Sequence, residues 1–492
     1  MVSLSLRRSG SRSHSVPEMA SLTIRNLTIY PLELKLVERF EWPPAPDQGG
    51  LSRMNSTLTG LFVNNTSASP VTPQDGQEPR DRQHLTDLIA GPFETKTTDI
   101  RTVDPGKGLL RLTFQTPGTG HRYVVDCPGP SRRSVVMKGV GDVPLELTAV
   151  YIPSGRHLSI FSSANLDSWM RELRDEYPLS MLSIPGTHNS PTCYVALPSV
   201  RCQAVGVREQ LDNGVRFLDV RVSVNKGDDD LALVHSVFPV ALTGTRYFAG
   251  LLKELYAFLD ANPSETVLMS VKREGTGRGS DRHLSQHLFN RYCGGGNAER
   301  WFTRPRIPSL GEARGKIVLI RRFNNHDALQ DEHGGTGWGI DAAAWPDNCA
   351  DGTVDSGLIR VQDFYTVGQS HNIEKKTEMA RMHLEKACQQ TFAEFIAAPA
   401  PGASPLPLFV NFLSASNFFN ASCWPEKIAA KVNPSIIEHL CMNHAEKGRG
   451  PAQLEVGDAG TGIVVTDWVG QEGDWDLIRC IVGWNARLQL KR

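Results

Sequence analysis

The stretch LSMLSIPGTHNS (179–190) sets an apolar run against a turn that ends in Thr187-His188-Asn189. A β-rich run that delivers an ionisable side chain at its end is how a parallel strand feeds an active-site loop. Seven more short apolar runs follow: VRFLDV (215–220), LALV (231–234), TVLMSV (266–271), KIVLI (316–320), LIRVQ (358–362), PLFVNFL (407–413) and GIVVT (462–466). Helical periodicity lies between several of them. The clearest case is Phe248, Leu251, Leu252, Leu255, Phe258 and Leu259, and another spans about 371–397. Near-continuous apolar strands with helical crossovers predict a parallel sheet covered on both faces. Eight such runs predict an irregular TIM-like (β/α)8 barrel, irregular because the second and third runs are too close for a helix between them.

The ends of the runs carry the chemistry. His188 and Asn189 follow the first, Asp219 and Arg221 lie at the second, and His235 follows the third. Lys272 ends the fourth, Arg321-Arg322 the fifth, Asp363 and Tyr365 the sixth, and Asp467 the eighth. On a barrel all of these converge on the C-terminal mouth. Two histidines, several cations and carboxylates suit acid–base attack on a phosphodiester. One imidazole takes a proton from the attacking hydroxyl and the other gives one to the leaving oxygen, while a guanidinium compensates phosphoryl charge.

In order, SIPGTHNS (183–190), VRFLDVR (215–221), LVH (233–235), NPSETVLMSVK (262–272), GKIVLIRRF (315–323), VQDFY (361–365) and VTDW at Asp467 resemble the phosphatidylinositol-specific phospholipase C X domain of bacterial-type enzymes. The resemblance covers roughly 300 residues. It implies His188 as general base with Asp467 as partner, His235 as general acid with Asp219 nearby, and Arg221 on the phosphate. Lys272, Arg322 and Asp363 would bind inositol hydroxyls, Tyr365 would lie against the ring, and Asn189 belongs to the same substrate site. The implied products are diacylglycerol and inositol 1,2-cyclic phosphate. Bacterial members have His-Asp where this chain has His188-Asn189. His-Asn resembles the animal enzymes, in which that Asn binds calcium, but Arg221 and Lys272 stand where those enzymes carry acidic ligands. No cofactor and no metal are therefore expected; calcium through Asn189 and Asp219 is the disfavoured option. The rival readings are a same-fold phosphodiesterase for another head group and a lipid-binding pseudoenzyme that has lost turnover.

Outside the match, residues 20–160 read as a smaller β-rich, sandwich-like accessory domain with a disordered insert near 42–92, preceded by a disordered tail at 1–19; the barrel occupies 165–492. Asn165 predicts the cap of a helix using Leu166, Trp169, Met170 and Leu173. The 492 residues carry a formal net charge of −1 and a mean hydropathy of −0.28, which excludes a global field for nucleic acid. No run reaches the roughly 18 apolar residues of a membrane span and no secretory signal is visible. Nine cysteines without a C-x-x-C pair fit a reducing compartment, so an intracellular soluble or peripheral membrane protein is expected. The partner the resemblance implies is a phosphoinositide or related inositol lipid. Phe238 and Pro239, or Phe418 and Phe419, are rim candidates for membrane contact or else core. Asp228-Asp229-Asp230 reads as a hairpin tip.

Overall fold

A computed structural model describes residues 21–42, 73, 76–104, 106–128, 134–225, 227, 230–392, 406–449 and 453–490. The expected tail at 1–19, most of the insert, and Asp228 and Asp229 lie outside these residues.

Short β-branched segments separated by turns form eleven strands before residue 163. These are β1 (Ser21–Leu27), β2 (Leu32–Glu41), β3 (Asp81–His84), β4 (Ile89–Ala90), β5 (Thr95–Arg101), β6 (Gly108–Gln115), β7 (Arg122–Cys127), β8 (Ser134–Val136), β9 (Lys138–Val140), β10 (Leu147–Ile152) and β11 (His157–Ser162). One sheet runs β5-β1-β11-β10-β8, the other β3-β2-β6-β7-β9, with β4 also on β2. Leu22, Ile24, Leu158 and Ile160 from the first share an apolar cluster with Leu34, Leu112, Phe114 and Val125 from the second. That is the alternating inward face of packed sheets. The end of the stretch expected as an insert is strand instead. β3 and β4 pair antiparallel with β2, because its backbone edge at Leu32, Glu33 and Leu36–Arg39 takes up their hydrogen bonds.

The second half is α/β. Its strands are β12 (Ile184–Thr187), β13 (Phe217–Ser223), β14 (Ala232–His235), β15 (Phe238–Pro239), β16 (Val267–Arg273), β17 (Trp301–Phe302), β18 (Ile317–Arg322), β19 (Ile340–Asp341), β20 (Gly352–Thr353), β21 (Ile359–Gln362), β22 (Leu408–Phe412) and β23 (Ile463–Thr466). Seven form a continuous parallel sheet in the order β18-β16-β13-β12-β23-β22-β21. The longer helices are α1 (Val207–Asp212), α2 (Phe248–Ala261), α3 (Asp281–Leu288), α4 (Asn372–Ala387), α5 (Pro425–Met442) and α6 (Asp476–Gly483).

Three expectations need correction. The third run is not a parallel barrel strand. β14 pairs antiparallel with β13 and with β15, since a connection without a helix can only fold back as a hairpin. The sheet is a curled, open one: β17 and β19 flank β18 at one end, β20 flanks β21 at the other, and no ladder joins the ends among the described residues. The helix expected after Asn165 shrinks to a single turn, Trp169–Glu172. Arg216 takes the carbonyls of Leu166 and Asp167 at 3.1 and 2.7 Å, and Glu265 takes the Met170 N–H at 3.1 Å, so the groups a longer helix would use are already bonded.

Arg216 and Glu265 are both fully buried at the N-terminal end of the sheet, 2.8 Å apart. Arg216 also donates to the carbonyls of Leu211 and Val215 and lies 4.5 Å over the Phe258 ring. Removing one member strands the other's charge. Glu265→Ala is expected to cost about 3–5 kcal/mol in urea unfolding, and joint replacement by Arg216→Met and Glu265→Leu to recover most of it.

Candidate functional site

The parallel register lines up cations. Arg221 on β13 sits beside Lys272 on β16, and Lys272 beside Arg322 on β18, in one row across three strands. Like charges side by side require interleaved anions. Asp219, fully buried, is one side-chain period before Arg221 on β13. Its Oδ2 accepts from Arg221 Nη2 at 3.1 Å and from the Asn189 backbone N–H at 3.1 Å, and its Oδ1 is 3.7 Å from Arg322. Burial opposes the Asp219 charge, but Arg221 and Arg322 overcome it and hold the carboxyl well below the usual range. Glu274, one period beyond Lys272, accepts from Arg221 at 3.0 Å, Lys272 at 2.8 Å and the Ser236 N–H at 2.8 Å. Burial likewise opposes its charge, and Arg221 and Lys272 hold its pKa down at about 2. Between these two anions the Arg221 guanidinium is fixed on both sides and its pKa is raised despite burial.

His188 stands immediately after β12, which is tethered to β23 by the register Thr187↔Thr466. Gly186 is needed there: a Cβ would sit 3.0 Å from Phe217 Cβ. His188 Nδ1 donates to Asp467 Oδ1 at 3.0 Å. Gln203 Nε2 donates to the carbonyls of His188 and Thr466 at 2.7 and 2.9 Å, clamping the two strand ends together. Asn189 is in the left-handed region at φ 43°, and its side chain is 3.4 Å from His188 Nε2. His235 ends β14 with its ring centroid 5.8 Å from that of His188 and perpendicular to it. His235 Nδ1 donates to the Val200 carbonyl at 2.9 Å, which fixes the tautomer and leaves Nε2 as the lone-pair nitrogen of the neutral ring. Cys202 Sγ lies 3.7 Å from His235 Nδ1. Ligand atoms of His188, Cys202 and His235 fall within 4.8 Å of one another.

The two imidazoles are polarised in opposite senses. Burial disfavours the His188 cation, but Asp467 and then Cys202 overcome it and hold its pKa up at about 10. Burial, then Arg221 and His188, push His235 down to about 3.

Across the mouth, Arg322 lies 4.0 Å over the Trp345 ring, and Trp345 Nε1 donates to Asp363 Oδ2 at 3.0 Å. Arg322 faces this group, whereas its neighbour Arg321 turns outward to Asp341 and the Trp338 carbonyl. Tyr365 is exposed, its hydroxyl 2.9 Å from Asp347. The ten candidate residues thus gather at one end of the sheet, with Tyr365 at the rim. Five neighbours had not been singled out. Glu274 was legible from its period-two spacing after Lys272. Gln203, Cys202 and Trp345 come from loops with no motif. Lys376 on α4 is fully buried, donates to Gln362 Oε1 at 3.1 Å and is brought down by burial to about 7.

The family profile "Phosphatidylinositol-specific phospholipase C, X domain" matches residues 176–323. Residues 176–323 are thus similar to that X domain. The profile takes in His188, Arg221, His235, Lys272 and Arg322, and ends before Asp363 and Asp467. The chain is 32% identical over 173 residues to the 1-phosphatidylinositol phosphodiesterase of Listeria monocytogenes, covering 33% of this chain and 50% of that protein. It is 25% identical over 346 residues to the 1-phosphatidylinositol phosphodiesterase of Staphylococcus aureus, covering 64% of this chain and 92% of the relative. It thus spans half the length of the first relative and most of the second. A double mutant of the S. aureus phosphatidylinositol-specific phospholipase C shares the fold, with a TM-score of 0.51 at 24% identity over 65% of this chain and 97% of that one.

The buried anions of the site make a prediction about acid. Glu274 ionises in the unfolded chain near pH 4.3 and in the folded one near 2, so its contribution is present above about 4.3 and lost as pH falls toward 2. It amounts to on the order of 3 kcal/mol. In urea titrations across that window, Glu274→Gln is expected to flatten the fall in stability; an unchanged slope would assign acid lability elsewhere.

Proposed function

We propose that this chain is a phosphoric diester hydrolase or lyase that cleaves phosphatidylinositol, or a related inositol phospholipid, to diacylglycerol and inositol 1,2-cyclic phosphate. The observation that carries the reading is the pair of perpendicular imidazoles facing one doubly anchored arginine. The inositol 2-hydroxyl gives its proton to His188 Nε2 as its oxygen bonds to phosphorus. The bond from phosphorus to the diacylglycerol oxygen breaks, and that oxygen takes a proton from His235 Nε2. Arg221 neutralises the non-bridging oxygens, and nucleophile and phosphorus on one ring make the attack intramolecular. Lys272, Arg322 and Asp363 bind ring hydroxyls, and Tyr365 closes the rim. The relatives named 1-phosphatidylinositol phosphodiesterase support the substrate class. Architecturally, we read the curled sheet of seven parallel strands as an irregular, incompletely closed TIM-like barrel over 165–492, with the two N-terminal sheets, 20–160, as an accessory domain.

Metal independence belongs to the same reading. Asp219, a possible calcium ligand with Asn189, already faces two guanidiniums, and Lys272 stands in the same row. A divalent cation there would meet three positive charges.

Contact with a lipid surface fits the rim. Phe238 and Phe418 stack in parallel at 5.9 Å, the almost fully exposed Phe419 meets Phe418 edge-on, and Val237 and Leu242 are also exposed. No helix among the described residues is long and apolar enough to cross a membrane.

Turnover of phosphatidylinositol in detergent micelles tests the proposal, by following water-soluble inositol phosphate with EDTA or with calcium. EDTA-resistant activity that falls about 10²- to 10⁴-fold in His188→Ala is the expected result. Calcium-dependent activity would move Asn189 and Asp219 into a metal site. Absence of turnover by folded protein in both conditions would overturn the activity, and inositol competition separates this head group from another.

The pH profile tests the histidines. The reactive form has His188 neutral and His235 protonated, opposite to the resting state. Its share is constant between the two pKa values; it falls below about 3, where both rings are protonated, and above about 10, where both are neutral. A broad bell in kcat/KM is expected. Asp467→Asn removes the anion that holds the His188 proton, so the alkaline limb should move to lower pH as kcat drops. A rate that climbs steadily through alkaline pH would reject the pairing.

A further inference from the structure

We propose a zinc site remote from the mouth, formed by Glu385, Cys388 and His444 with His439 as the fourth ligand, which ties α4 to the end of α5. Glu385 and Cys388 are three residues apart at the C-terminal end of α4, and His439 and His444 bracket the end of α5. Ligand atoms of Glu385, Cys388 and His444 lie within 4.8 Å of one another. Glu385 Oε1 is 3.1 Å from His444 Nδ1 and 2.7 Å from His439 Nε2, and Glu385 Oε2 is 3.8 Å from Cys388 Sγ. A tetrahedral zinc with bonds of about 2.0–2.3 Å separates its donors by roughly 3.3–3.8 Å, so Glu385, Cys388 and His444 are near that spacing and His439 must draw back from Glu385 to join them.

Two observations select a cation. The first is tautomer bookkeeping. His444 Nε2 is 3.3 Å from the Gly460 carbonyl, which can only accept, so Nε2 carries the proton. Nδ1 faces a carboxylate oxygen, so a positive charge belongs between them, either a proton on Nδ1 or a metal ion in its place. The second is charge balance. The Cys388 thiol donates to the Glu385 carbonyl at 3.2 Å and would lose its proton on binding; one carboxylate, one thiolate and two neutral imidazoles then add to −2, which a divalent ion cancels in a region where His444 is fully buried. The mixture of imidazole, thiolate and carboxylate suits zinc among common divalent ions. Glu385 and His439 keep 21% and 10% of their side chains exposed, which leaves an entrance.

The site sits under the junction with the N-terminal sheets. Arg25 of β1 donates to the carbonyls of Cys441 and His444 at 3.2 and 2.6 Å and lies over Trp484, whose ring meets His444 edge-on. Zinc would therefore fix the turn on which β1 rests.

The test uses the full chain, stripped with a chelator, dialysed and titrated with zinc or cobalt(II). One tightly bound ion per chain, a thiolate-to-cobalt charge-transfer band and a higher Tm with zinc are expected. Cys388→Ser and His444→Gln should abolish the band or weaken binding by at least about 10–100-fold. Cys202→Ser, which alters the other thiol–histidine cluster, should leave the band in place. If the Cys388 variant fails to fold, alkylation of the wild type followed by mass spectrometry serves instead, with zinc slowing modification of Cys388. Failure to bind, or a band lost with Cys202 and kept without Cys388, overturns the site.

Discussion

A carboxylate sealed from water must be surrounded by positive charge, and the mouth of this sheet is organised around one such group, Asp219. It has no exposure, so its charge is stable only because Arg221, Arg322 and the Asn189 N–H surround it. That requirement fixes the register of β13 against β16 and β18, since only this pairing sets the cations in one row. It also fixes the left-handed backbone at Asn189, because that turn points the N–H at Asp219 and brings His188 to the end of β12. Glu274 repeats the device one level nearer the solvent. Arg221 is thereby held by two anions, one on β13 and one just past β16, which is what the proposed phosphate clamp needs in order to lose little entropy on binding.

The same economy appears at the opposite end of the sheet, where Arg216 and Glu265 satisfy each other and five surrounding backbone groups. The set of charges along VRFLDVR (215–221) is thus divided by the strand itself. Arg216 serves the closed floor, whereas Asp219 and Arg221 serve the open mouth, and neither arginine is placed to do the other's work.

Much of this was legible in the amino-acid sequence because strand ends in a parallel sheet converge by topology. Once the runs were recognised, His188, Arg221, Lys272, Arg322 and Asp467 had to meet. The hairpin at LALV, the open sheet and the short turn after Asn165 were less legible, since each depends on partners distant in the chain. Arg216 shortens the expected helix by taking carbonyls about 50 residues away, which no local periodicity encodes. Gln203, Cys202 and Trp345 act from irregular loops, where a side chain's direction follows from the packed structure and carries no repeat. The protonation order of the two histidines was equally hidden: it is set by Asp467, Cys202, Arg221 and the burial around them.

The open edge of the sheet has a mechanical meaning. Where a closed barrel would continue its backbone ladder, side chains bridge the gap: Ser356 donates to the Asp341 carbonyl at 2.8 Å, and Arg322, Trp345 and Asp363 form a chain from β18 to β21. The hoop is thus fastened by a buckle made of the very groups assigned to the sugar ring. Under the proposed function, a polyol seated between Arg322 and Asp363 would add a rung to that buckle and couple occupancy of the site to the girth of the sheet.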